Sequence, residues 1–238
     1  MSTHVRHLSP DVVVAVTAAT ESIDDALRDR IAAVWAVERA RRPELFEGTI
    51  FACRRVDEDA GTVIRLEGHF VPYSWYVAAT SDREIAAILG LWALGVSSIL
   101  RCPEGIVLGR RASTTSYGGL LELVPSGAVD AHAANEDRVD LHAAILGELA
   151  EELALSERDL EGPPATFALV EDEASLLYEA GFQMSTTHSF ADIERAHAAL
   201  ATREHDHLQL LTGDSADVIE APNFSPTSAA LLRAAGIP

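Results

Sequence analysis

Gly147-Glu148-Leu149-Ala150-Glu151-Glu152-Leu153-Ala154-Leu155 is the stretch on which the reading of this chain turns. Residues three and four apart on a helix share a face, so Leu149 and Leu153 form an inward stripe while the carboxylates of Glu148, Glu151 and Glu152 converge. Like charges so placed cost about a few tenths of a kcal/mol per pair on an exposed helix, and either solvent or a cation offsets that cost. Converging carboxylate oxygens are what a hard divalent ion such as Mg2+ takes as ligands, completed by water and substrate phosphates. The competing reading is a solvated acidic face, which a chain with 37 acidic residues supplies readily.

Working outward, Leu120-Leu121-Glu122-Leu123-Val124-Pro125-Ser126-Gly127-Ala128-Val129-Asp130 reads as a short apolar strand ending in a Pro-Ser-Gly turn, and the helix follows after a polar loop. In this order the residues resemble the signature of the Nudix hydrolases: a strand, a Pro-Gly-Gly-type turn, a loop, and a helix carrying Arg-Glu-aliphatic-x-Glu-Glu-x-Gly-aliphatic. The resemblance runs through Pro125, Gly127, Glu148, Leu149, Glu151, Glu152 and Leu155. It continues upstream through two strand candidates, Leu94 to Leu100 and Gly105 to Arg111, and covers residues 91 to about 215.

The resemblance implies an α/β fold, an α/β/α sandwich around a mixed sheet, with a Nudix domain in residues 91–238 and an N-terminal α+β extension in residues 1–90. It implies a metal-dependent hydrolase that cleaves the diphosphate bond of a nucleoside diphosphate linked to another group. Glu148, Glu151 and Glu152 would hold Mg2+ (or Mn2+), a backbone carbonyl at Ser126 or Gly127 would add a ligand, and Glu148 and Glu152 would count as catalytic. Glu204, in Arg203-Glu-His-Asp-His207, is the candidate base, with Glu171 and Glu173 behind it. Arg110 or Arg111 would grip phosphate, although on a strand only one of the two faces the site. The order Pro43 to Phe51, then Tyr73-Ser-Trp-Tyr76, then Leu94 to Val96 is loosely similar to the UDP-sugar-cleaving branch, which makes Tyr73 a candidate substrate contact. The simpler reading of these aromatics is packing across a strand.

The departures matter equally. Gly147 stands where the motif has an arginine that holds a metal-binding glutamate, and glycine in a helix interior costs up to about 1 kcal/mol relative to alanine. Ala154 replaces the helix-ending glycine, so the left-handed cap is expected to be lost or moved. The loop before the helix is longer than the motif, and Glu136, Asp137 and Asp140 compete for its glutamate position, Asp140 reading equally as the helix N-cap. A Nudix-fold protein that binds a nucleotide or a protein partner without hydrolysing it is therefore the rival expectation.

Bulk properties narrow the partners. A net charge of -19 argues against a broad surface for nucleic acid polymers, whose phosphates call for clustered cations. All 18 basic residues are arginine, which excludes lysine Schiff-base chemistry and a phosphate loop ending in lysine. There is no apolar run of membrane-spanning length and no charged-then-apolar leader, so the expectation is a cytoplasmic protein without membrane contact. Cys53 and Cys102 lack Cys-x-x-Cys spacing and read as free thiols. The partner expected is a small-molecule nucleoside diphosphate derivative, and a homodimer is compatible with the sequence.

For the rest, residues 22–42 read as a helix, and Thr49 to Val56, Gly61 to Leu66 and His69 to Ala79 as strands, with a turn at Asp57 to Gly61. Ser81 to Leu94 reads as a helix capped by Ser81, with Glu84 completing a capping box. Downstream, Pro164 to Val170, Leu176 to Gln183 and His205 to Leu211 read as strands, and Phe190 to Ala201 and Ser225 to Ile237 as helices. His205 and His207, two apart, would share a strand face, as a zinc pair would. His132 and His142 flank the long loop and are candidates for titration near neutrality, ordinary surface histidines being the competing reading.

Overall fold

Along Trp92–Cys102 nearly every side chain is buried, so helices must cover both faces of this strand. The computed structural model describes residues 3–7, 11–17, 23–43, 45–59, 63–113, 118–213 and 216–237. In chain order its elements are β1 (Thr3–His7), β2 (Asp11–Val16), α1 (Asp25–Arg41), β3 (Thr49–Asp59), β4 (Val63–Pro72), α2 (Tyr73–Ser81), α3 (Arg83–Leu89), β5 (Trp92–Cys102), β6 (Gly105–Arg111), β7 (Leu121–Leu123), β8 (Ser126–Ala128), β9 (Ala134–Asn135), β10 (Arg138–Val139), α4 (Leu141–Leu153), β11 (Ala165–Asp172), β12 (Leu177–Ser185), α5 (Phe190–Ala198), β13 (His205–Leu211), α6 (Ala216–Ile219) and α7 (Pro226–Ala234).

The strands form one mixed sheet whose main path runs β1-β11-β12-β5-β3-β4-β2-β10-β9, with β6 joining β5, β7 and β13, and β8 pairing β5. The pairs β12·β5 and β2·β4 are parallel and the others antiparallel. Residue parity on β5 makes the layers. Leu94, Val96 and Leu100 point into the core shared with Leu141, Ile145, Leu149 and Leu153 of α4 and Ile193 of α5. Ile99 points the other way, into the core beneath Ala230, Leu231 and Leu232 of α7. Ala93, on that second parity, meets the layer made by α1, α2 and α3. Full burial of a leucine or isoleucine side chain contributes roughly 1.5–3 kcal/mol, so the α4 stripe alone anchors that helix firmly. The result is the expected mixed sheet between helical layers.

The N-terminal strands belong to the same sheet. β1 pairs with β11, β2 with β10, and β3 with β5, so hydrogen bonding runs across position 90.

Several local expectations are corrected. The segment expected as a strand through Ala79 leaves β4 at Pro72 and becomes α2. Of its buried residues Ser74, Val77, Ala78 and Ala79, the first three follow the helical i, i+3, i+4 rule, and the run of three is not alternation. Asp82, not Ser81, caps the next helix, accepting from the Glu84 and Ile85 N–H groups, and Gly90 ends it in the left-handed region at φ 53°. The stretch ending in Pro-Ser-Gly splits into β7 and β8, because the backbone after Pro125 returns to pair with β5. The turn expected at Asp57 to Gly61 falls partly on residues outside those described. Asp140 does cap α4, accepting from the Ala143 N–H. At its other end the left-handed cap is kept, by Ala154 at φ 54°.

Candidate active site

The strand β7, the turn into β8, the last turns of α4 and the start of β13 meet at one end of the α4 layer. Their polar side chains form a single network. Glu152, 4% exposed, accepts the Ser126 N–H through Oε2 at 2.9 Å. Its Oε1 has no hydrogen-bond partner and lies 3.6 Å from His205 Nδ1, which has none either. On its far side His205 meets Glu122: Nε2 lies 2.8 Å from Glu122 Oε1. The same oxygen accepts from Arg111 Nη1 at 2.7 Å, and Arg111 Nη2 reaches Glu204 Oε2 at 3.2 Å. His197 of α5 ties the backbones together, its ring nitrogens facing the Glu152 carbonyl at 2.7 Å and the His205 carbonyl at 3.1 Å.

Glycines make the space. A Cβ at Gly127 would stand 2.0 Å from Glu148 Oε1, so the Glu148 carboxylate lies directly against that backbone. A Cβ at Gly109 would stand 2.6 Å from His205 Cδ2, so the imidazole fills room left by a missing side chain.

Charge is unevenly met. Burial pushes the Glu148 carboxyl up to about 8, reinforced by Glu151, Glu204 and Asp130 and opposed by Arg111. Burial likewise holds Glu152 well above the usual carboxylate range, with Glu148 and Glu122 adding to it and the Ser126 N–H working against it. Glu122 is the exception. Burial would raise it, but His205 and Arg111 together bring it below the usual value.

The candidate residues thus separate. Glu148, Glu152, Ser126, Arg111 and Glu204 come together, and Glu151 stands exposed on the same turn of α4, close enough to act on Glu148. Arg110 is exposed and pairs with Asp206 at 2.9 Å, so of the two arginines Arg111 is the one that faces the cluster. Tyr73 sits on α2 with its ring edge-on to Trp35 at 6.2 Å, in a core that shares no residue with the one beneath α4. Glu171 pairs with Arg6 of β1, and Glu173 is exposed in the turn after β11. Glu136 and Asp137 form the turn between β9 and β10. His132 is exposed and raised by its hydrogen bond to Asp130, and His142 stands edge-on to Phe182.

His205 and His207 do not share a face. A bulge in the β13·β6 ladder falls between them, leaving His205 fully buried and His207 exposed. Among the described residues no three His, Cys, Asp or Glu side chains converge as a ready-made metal cage. Sequence reasoning passes over Glu122 and His197. The available signal for Glu122 is a lone acid between two leucines of an apolar strand, an arrangement that burial permits only with partners.

No protein-family model matches the chain, and no curated protein matches it in sequence. Solved structures with a similar chain path include DR0079 of Deinococcus radiodurans, 18% identical with a TM-score of 0.43, over 60% of this chain and 83% of that one. A Nudix-family hydrolase of Clostridium perfringens is 14% identical with a TM-score of 0.37, over 60% of this chain and 95% of that one. Tm1382, a candidate Nudix hydrolase, is 13% identical with a TM-score of 0.43, over 83% of this chain and 94% of that one. At these identities a likeness concerns chain path alone, and the chemistry of the site rests on its own geometry.

Proposed function

We propose that this chain is a metal-dependent hydrolase of the Nudix type, cleaving the diphosphate bond of a nucleoside diphosphate linked to another group, with a UDP-sugar the first substrate to try. One observation carries the reading. Glu148 and Glu152 flank the Ser126–Gly127 backbone, where burial, reinforced by neighbouring acids, keeps the Glu148 proton on up to about pH 8. A divalent cation offsets such a cluster better than protons do, and oxygen donors of this kind suit Mg2+ or Mn2+. Glu148, Glu151 and Glu152 would hold the ion with the backbone at Ser126 or Gly127, Glu152 using the lone pair of Oε2 that Ser126 leaves. Bound there, the ion supplies charge neutralisation for diphosphate oxygens and acidifies water.

The chain's own groups do the rest. Glu204, exposed at the rim and steadied by Arg111, takes the proton of the attacking water. Arg111 offers forked donors to the phosphate as its contact with Glu204 loosens. Metal-dependent product release from a panel of nucleoside diphosphate sugars, nucleoside triphosphates, dinucleoside polyphosphates and ADP-ribose, with EDTA as control, tests the reading. Cleavage of one class supports it and names the substrate.

A second reading, ligand binding without turnover, is favoured by Gly147, whose position supplies no charge, and by the engagement of Arg111 with two carboxylates. It predicts silence across that panel together with thermal stabilisation by one nucleotide.

A further inference from the structure

We propose that His205 is a positioning residue that orients Glu152, delivered from β13 to the helix α4 carboxylate. The inference rests on the reading of Glu152 as a cation ligand. Two buried polar atoms lack hydrogen-bond partners here, Glu152 Oε1 and His205 Nδ1, and each is aimed at the other across 3.6 Å. A buried donor or acceptor left unmet destabilises the fold, and a single proton between the two atoms relieves both.

The imidazole is fixed before it meets Glu152. Its ring is wholly buried in the space left by Gly109, and its Nε2 faces Glu122 Oε1, which Arg111 also holds. A carboxylate engaged by arginine accepts, so Nε2 donates, and the ring orientation follows. His197 stands between the two backbones, its ring nitrogens facing the Glu152 carbonyl at 2.7 Å and the His205 carbonyl at 3.1 Å. Gly147 of α4 supplies no such partner, and an added Cβ there would have nothing within 4 Å. With Oε1 turned to His205 and Oε2 to the Ser126 N–H, the plane of the Glu152 carboxylate is fixed. Its remaining lone pair then projects beside the Glu148 carboxylate rather than rotating away.

Two variants separate the ends of the ring. The amide nitrogen of asparagine falls near Nδ1, so His205→Asn keeps a donor for Glu152 and loses Glu122. The longer glutamine reaches Nε2, so His205→Gln keeps Glu122 and loses Glu152. Mn2+ titration calorimetry on the full chain should give an affinity within about threefold of the parent for His205→Asn and a loss of about tenfold or more for His205→Gln, as removing an orienting partner does at other metal ligands. Equal losses, or no loss in either, overturn the proposal. Should the buried substitutions fail to fold, histidine side-chain 15N NMR on the parent chain reads the same contact. A His205 Nδ1 that shares a proton and shifts on adding Mg2+ supports it, and a bare lone pair indifferent to Mg2+ overturns it. If the parent binds no Mn2+, the functional reading fails instead. The metal-free spectrum then decides the Glu152 contact: a shared proton supports it and a bare Nδ1 overturns it.

Discussion

Two carboxylates are buried on opposite faces of one sheet, and they are treated differently. Glu179 of β12, beneath α7, is met by the hydroxyls of Ser97 and Thr227, which temper the upward push of its burial and of Glu122 and Asp172. Glu152, on the α4 face, has one backbone N–H and an unmet oxygen, and faces Glu148 and Glu122 as further negative charge. A buried acid surrounded by hydroxyl donors is finished as a structural element. One left short of donors among other acids is suited to a counter-charge from outside the chain.

The largest contrast is expected in turnover. Glu152→Gln and Glu148→Gln should each lower metal-dependent hydrolysis by about a hundredfold or more, whereas Glu179→Gln, keeping a neutral group of the same shape, should stay within about threefold. Steady-state rates with Mg2+ decide it, and full activity in Glu152→Gln breaks the comparison.

Next is the pH dependence of stability without metal. The folded Glu148 carboxyl keeps its proton up to about 8 while the unfolded one loses it near 4.5. The stabilisation is therefore complete below the unfolded value and is lost as pH rises towards 8, a fall of about a few kcal/mol to which Glu152 adds in the same direction. Melting curves from pH 5 to 8 in EDTA should show Tm falling, Mg2+ should flatten the fall, and Glu148→Gln should remove part of it.

Gly127→Ala should come third. A methyl group there displaces the Glu148 carboxylate, costing about 1–3 kcal/mol of stability and weakening Mn2+ binding. The smallest effects belong to the helix itself. Ala154→Gly relieves a left-handed alanine, and Gly147→Ala removes a flexible helix position with open space around it, so each should raise stability by about 1 kcal/mol in denaturant melts.

The acid-bearing helix, its Asp140 cap and the β5 and β6 strands were legible because each announces itself locally, through 3.6-residue spacing, a capping side chain or an apolar run. Tyr73-Ser-Trp-Tyr-Val was not. Its residues favour strands, and the helical burial pattern is carried partly by Ser74, which hides an apolar signal. The site was half visible. Glu148 and Glu152 declare themselves by spacing, but strand alternation puts His205 and His207 on one face. Only a bulge and a glycine on the neighbouring strand turn His205 inward while leaving His207 in water.

The stitching of β1 to β11 has a consequence for how the molecule is made. Arg6 finds Glu171 165 positions further along the chain, in the strand that β1 pairs with. During synthesis β1 leaves the ribosome long before β11 exists. β2 finds β4 soon after it is made, whereas β1 must remain unpaired until β11 is present, so β1 joins the sheet late.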